Sequence, residues 1–440
     1  MQNPAWSNSL GSSKREALGG AFFWLTAFYF VYCARPEDLV PLPFLAKISI
    51  AGVILSMLSS GGRTERKLKD LPIEGKYLVA LSAILFIGSL LSPVWKGGAF
   101  LSTIEFSKVI VAWILTFLVV TSMQRLRRII FVQAGAVAVI AALSIIKGYH
   151  TPRLNGVMGG IYENPNDLAF AIVLSLPFCY AFLFSSKNML VKIIWIAGML
   201  AMLASLFLTA SRAGFIDLLV SGSVALWHFG VRGKRMYLIV VVAVLGTLFF
   251  AIAGKNLRAR FEEIEEQGAN REFSGAYGSY EMRQFLMFRA VEVMETYPLL
   301  GVGVHNFVSI SGDWHEVHMS YLEIGAEGGI PVLILYLLFF YRGFVNLKYL
   351  RRRKDLDREM VIFVGALHSS LVGFVFGALF APEAYHFFPY FTVAFTSVMV
   401  ALAKEKSTAG VPATEPRKRL AHWSEVYDIG GKVGPVGISR

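Results

Sequence analysis

The stretch EVHMSYLEIGAEGGIPVLILYLLFF, Glu316 to Phe340, opens on a histidine among polar residues, passes two adjacent glycines and turns into nearly pure hydrocarbon. From Met319 onward it has the length and apolar content to cross a bilayer core of ~30 Å, which takes roughly 20 helical residues. It reads as a membrane span with a titratable ring at its mouth. Runs of the same kind recur along the whole chain, and that recurrence decides the fold class: an all-α polytopic membrane protein.

The bulk composition agrees. Of 440 residues, 55% are hydrophobic and only 16% charged, too little charge to cover a soluble protein of this size. Twelve spans are expected, near 17–34, 43–60, 77–93, 101–123, 129–147, 167–185, 189–208, 213–229, 237–253, 319–340, 360–380 and 388–403. The net charge of +12 comes from 42 basic and 30 acidic side chains. The basic ones cluster in short loops between apolar runs, which disfavours a nucleic-acid partner and fits loops retained in the cytoplasm. Arg63, Arg66, Lys67 and Lys69 follow span two, and Arg125, Arg127 and Arg128 follow span four. Lys187, the Arg232–Arg235 cluster and the run from Arg342 to Arg358 follow spans six, eight and ten. Every cluster follows an even-numbered span, so both termini are expected on the cytoplasmic side. The first run, preceded by Lys14 and Arg15, reads as a signal-anchor kept as the first helix. Cys33 and Cys179 sit in apolar segments without a CxxC spacing, which indicates neither a zinc site nor a disulfide framework.

The expected organisation is a cytoplasmic N-terminus (1–16), spans one to nine (17–253), a periplasmic loop (254–318), spans ten to twelve (319–403) and a loosely ordered cytoplasmic tail (404–440). A loop of that length exceeds what a helix connection needs and is usually functional. Within it, Met282, Leu286, Ala290 and Val293 form an apolar stripe at helical spacing. They predict a helix at the membrane interface, ended by Pro298 and the glycines after it.

Polar residues at the outer ends of spans are the candidates for chemistry. Arg212, between two apolar runs, is either an interfacial arginine that snorkels to headgroups while Ser211 caps the next helix, or an interior cation for an anionic ligand. The planar fork of a guanidinium suits phosphate. Arg283 and Arg289 share one predicted helix but point ~120° apart, so they do not reach one ligand equally. Arg153, in a glycine-rich loop, suits loop ordering or headgroup contact and is kept as a candidate substrate contact, as are Asn164 and Asn166 nearby. His305, His315 and His318 do not match a zinc spacing. His305 and His315 read as water-facing loop histidines, with His305 also kept as a candidate substrate contact. His318 begins the span, where packing would fix its ring, and with an unperturbed pKa of ~6.5 it is mostly neutral and able to accept a proton near pH 7. The acidic residues offer little: Glu262–Glu266 reads as a solvated face, and Glu163 with Asp167 suits a cation but lacks partners. Gly325, Gly328 and Gly329 read as close helix packing. No metal and no cofactor are expected.

Four stretches in order, RLNGVMGGIYENPNDLA from Arg153, TASRAGF around Arg212, EMRQFLMFRAVEVMETYPLLGVGVHNF from Glu281 and HMSYLEIGAEGGIP from His318, resemble the O-antigen ligase and O-antigen polymerase family of bacterial inner-membrane proteins. The resemblance covers residues 153–340. It departs from the family at Met319, where asparagine is frequent. Phe288 stands where an aromatic tends to follow the loop arginine, which leaves Arg283 and Arg289 both open for that role. The resemblance implies a many-helix glycosyltransferase fold of the C type. It also implies transfer of a glycan from undecaprenyl diphosphate, on the periplasmic face, to a lipid A core sugar, another lipid-linked repeat or a protein. His318 would be the base, and Arg212 and Arg283 would stabilise the diphosphate. Membrane lipid is the other implied partner.

Two rivals remain at this stage. A transporter of lipid-linked oligosaccharide or of a small solute also has many spans, but calls for structural repeats and midplane charges. A haem or quinone protein could use His228, His318, His368 and His386, which lack a paired arrangement along one helix.

Overall fold

The computed structural model describes residues 18–36, 44–59, 66–148, 154, 156, 162–244, 246–247 and 275–408. Arg153, the Glu262–Glu266 cluster, the end of the ninth expected span and the tail beyond Thr408 lie outside the described residues.

The described residues hold helices joined by turns and no strand. In order these are α1 (Gly19–Ala34), α2 (Leu45–Ser59), α3 (Ile73–Leu91), α4 (Lys96–Val119), α5 (Met123–Gly148), α6 (Pro165–Ser185), α7 (Met189–Leu208) and α8 (Arg212–Leu226). A π-helical turn, Trp227–Val231, extends α8, and a further helix, α9, covers 237–244. Then come α10 (Gly275–Thr296), α11 (Ser320–Arg352), α12 (Arg358–Gly377) and α13 (Phe387–Thr408). Nine of the helices are long and apolar enough to cross a membrane, and α1 and α2 are shorter apolar helices. The chain is a multi-pass membrane protein. In hydrocarbon a helix is the economical solution, because it satisfies its own backbone hydrogen bonds.

At the centre α6 packs on α12, and α12 in turn on α8 and α13; α3 lies along α11, and α1 packs on α2 and α5. Large side chains such as Leu55, Leu91, Ile146 and Leu190 face outward from the bundle, as expected where the surrounding solvent is lipid.

One end of the bundle gathers the basic loops. Arg66 bonds Glu405 at 2.9 Å and donates to the carbonyls of Phe117 and Val120 at 2.9 Å each. Arg127 reaches Glu359 at 2.9 Å, and Lys406 reaches Asp357 at 2.7 Å. Arg66 thus joins the loop after α2 to the end of α4 and to α13. Arg127 joins the start of α5 to α12, and Lys406 joins α13 to the loop after α11, so the basic clusters after α2, α4 and α11 share one face.

The opposite end is organised by α11. This helix runs on to Arg352, beyond the span expected to end near Phe340, and it breaks once, at Gly329 (φ 82°, ψ 172°), just before Pro331. The break frees backbone groups that the loop after α10 takes up. Ile330 N–H donates to the Pro298 carbonyl at 2.8 Å, while the N–H groups of Val302 and Gly303 donate to Ala326 and Glu327 at 3.0 and 2.8 Å. A side chain at Gly329 would meet the Leu299 backbone at 2.6 Å, so this glycine serves a backbone crossing as well as a positive φ. The predicted stripe on α10 is its buried face. Leu286, Ala290 and Val293, with Met282 beside them, pack on Val302, Phe307, Val317 and Ala326.

Candidate functional site

Two motifs meet at the starts of α6 and α8. The Asn164 side chain caps α6 by accepting from Asn166 N–H at 2.9 Å. Ser211 caps α8 by accepting from Gly214 N–H at 3.2 Å, and its hydroxyl donates to Asn166 Oδ1 at 2.8 Å. Arg212 is therefore the first residue of a capped helix, fixed in place by a hydrogen bond to the start of α6.

Packing of α10 separates its two arginines. Arg289 donates from Nε to the Ile310 carbonyl at 3.1 Å and pairs with Glu292 at 2.6 Å. Arg283 is partly buried, its Nε makes no hydrogen bond, and it has no carboxylate partner among the described residues. Burial, and then the positive charge of Arg212, push its pKa below the usual guanidinium range. Leaving a charged donor unsatisfied costs more than the ~1–3 kcal/mol of a neutral one, which makes Arg283 a costly cation to hold at this position.

His318 completes the group. Its Nδ1 lies 3.0 Å from the Glu316 carbonyl. A carbonyl only accepts, so Nδ1 carries the proton and Nε2 keeps the lone pair. Burial first, then the charge of Arg283, lower the His318 pKa below its ordinary 6.5, against the Glu316 carbonyl, which raises it. Arg283 thus lies within electrostatic reach of both Arg212 and His318.

Beside this group is a cavity of about 800 Å³ whose lining includes Asn164, His305, Trp314, His318, Glu323 and Glu383. Arg212, Arg283 and Arg289 are not part of that lining. His305 is exposed, with a left-handed backbone (φ 57°), and its ring lies 5.2 Å from that of Tyr385. His315 is paired with Asp313 at 3.0 Å. The four histidines weighed for a haem or quinone divide between two places. His228 and His368 touch at 2.9 Å, from the π-helical turn to α12, while His318 and His386 line the cavity.

What the sequence reading passed over is acidic. Glu323 and Glu327 in the first turns of α11, and Glu383 between α12 and α13, are all buried. The signal was available: two carboxylates four apart open an otherwise apolar helix, which puts them on one face.

Residues 197–337 match the family model described as O-antigen ligase. That is the family the motifs point to. The O-antigen ligase match contains Arg212, Arg283, His318 and both buried glutamates of α11, and it ends just past the Gly329 break. It supports an O-antigen ligase or polymerase type of function for this membrane protein. No curated protein matches the chain.

Proposed function

We propose that the chain is an inverting glycosyltransferase of the O-antigen ligase type. It moves a glycan from undecaprenyl diphosphate to an acceptor hydroxyl at the periplasmic face of the bacterial inner membrane, without a metal in the chemical step. The observation that carries this reading is Arg283, partly buried, without a partner among the described residues and within electrostatic reach of Arg212 and His318. The polyprenyl tail of such a donor lies in lipid and its sugars in water, so the bond to be broken lies where His318 precedes α11.

In this mechanism Nε2 of His318 takes the proton of the acceptor hydroxyl. The oxygen attacks the anomeric carbon opposite the diphosphate, the glycosidic C–O bond breaks, and undecaprenyl diphosphate leaves. Arg283 and Arg212 stabilise the charge that grows on the diphosphate. The loop-arginine role goes to Arg283, since Arg289 is engaged with Glu292 and Ile310. Asn164 contacts sugar hydroxyls from the cavity wall, and Asn166 acts through Ser211 by fixing Arg212.

The test offers purified protein a lipid-linked oligosaccharide together with three acceptors: a lipid A core, a second lipid-linked repeat and a protein. Extension of the lipid A core is the expected outcome. Extension of the repeat identifies a polymerase of the same family. Passage of the donor across a bilayer with no new glycosidic bond overturns the enzyme in favour of a transporter.

A further inference from the structure

His305, Glu323 and Glu327 come together at the acidic side of the cavity. Each offers one ligand atom, a ring nitrogen or a carboxylate oxygen, and these atoms all lie within 4.8 Å of one another. Two features of the chain make the grouping. Glu323 and Glu327 share a face of α11, and the loop carrying His305 is fastened to that helix through the Val302 and Gly303 hydrogen bonds.

The carboxylates are poorly matched by protein groups. Glu323 and Glu327 are each 3% exposed, and Glu383, which lines the same cavity as Glu323, is 5% exposed. None of the three forms a salt bridge with a lysine or arginine among the described residues. Glu323 accepts one hydrogen bond, from Ala384 N–H at 3.0 Å, and Oε1 of Glu327 accepts from Phe307 N–H at 3.3 Å. Oε2 of Glu327 and Oε1 of Glu383 have no hydrogen-bond partner among the described residues. The Tyr385 hydroxyl and the His305 backbone N–H also face the Glu327 carboxyl, yet neither the hydroxyl nor Oε2 of Glu327 has a well-formed hydrogen bond among the described residues. Buried carboxylates are normally paired or coordinate a metal.

We propose that His305, Glu323 and Glu327 bind a divalent transition-metal cation of the Mn²⁺ or Zn²⁺ type, which ties the loop holding His305 to the first turns of α11. Ligands at ~2.0–2.2 Å from such an ion lie ~3–3.5 Å apart, a closure that side-chain rotation supplies. The ring nitrogen favours a transition ion over Mg²⁺ or Ca²⁺, which prefer oxygen alone. The centre assigns His305 to the ion and is separate from the arginine and His318 group that acts on the diphosphate.

The test uses full-length protein in detergent, stripped with chelator and titrated with Mn²⁺ alone while free Mn²⁺ is followed by electron paramagnetic resonance. Uptake of one ion per chain, displaced by Zn²⁺ and accompanied by a rise in melting temperature, is expected. His305→Asn, at an exposed position that leaves the core intact, weakens uptake by more than about tenfold, and so does Glu327→Gln. Asp313→Asn, an exposed acid on the same loop, leaves it unchanged. Absence of saturable uptake by the unsubstituted protein overturns the proposal, as does undiminished uptake by His305→Asn. Glycan transfer is not the readout, so failure here and failure of the transferase reading are distinguishable.

Discussion

At the basic end of the bundle Arg66 is buried but satisfied, with two carbonyls and the Glu405 carboxylate around its guanidinium. At the opposite end Arg283 is partly buried with no acid beside it among the described residues, and Glu327 and Glu383 each keep a bare carboxylate oxygen. Both ends use charge for architecture, as Arg289 with Glu292 shows at the second, but the second also keeps charge that has no partner among the described residues. Unpaired buried charge destabilises a fold, and the proposed function accounts for it as charge kept for a ligand. The difference predicts that substitutions at the two ends affect different observables.

The largest effect is expected from His318→Ala, which removes the base and lowers glycan transfer by about 10²–10⁴-fold with unchanged melting temperature. Normal transfer at equal protein level removes His318 from the mechanism. Arg283→Gln follows, with a loss of about 10²–10³-fold and no drop in melting temperature, since it deletes a cation that has no partner among the described residues. The same variant tests the electrostatics by pH. A base acts when unprotonated, so activity falls as pH drops through the His318 pKa, which burial and Arg283 hold below 6.5. Removing the Arg283 charge raises that pKa and moves the acid limb of residual transfer to higher pH. Glu316 and His315, the other groups acting on the ring, are unaltered in this comparison. An unmoved acid limb separates Arg283 from His318.

Two smaller effects concern architecture. Gly329→Ala places a side chain 2.6 Å from the Leu299 backbone at a φ of 82° and costs about 1–3 kcal/mol, read as a lower melting temperature with transfer reduced. Arg127→Ala removes the ion pair with Glu359, which is exposed on both sides, and costs about 0–1 kcal/mol with transfer per folded molecule unchanged. A large loss of transfer in Arg127→Ala would break the contrast between the ends.

Much of this was legible in the residues. Nine of the twelve expected spans correspond to helices long and apolar enough to cross a membrane among the described residues, and the basic clusters after α2, α4 and α11 lie together as their order suggested. The helix at 275–296 follows from the stripe Met282, Leu286, Ala290 and Val293, which is the face it buries. Ser211 was expected to cap the helix after Arg212, and it does. Three things were not legible. Local spacing placed Arg283 and Arg289 on different sides of one helix, but only the packing of α10 shows that Arg289 is engaged and Arg283 is not. The glycines near 329 were read as close packing, whereas Gly329 breaks the helix so that the loop after α10 can bond to it. Glu323 and Glu327 looked unremarkable until His305, 18 residues before Glu323, arrived against them.

By itself the sequence determined what each segment must do with its own surface: which stretches belong in hydrocarbon, which loops are basic, where helices begin. Those are local properties, set by side-chain polarity and period. Tertiary structure alone decided which charges are left without partners, because a partner can come from anywhere in the chain and pairing is known only once distant segments meet.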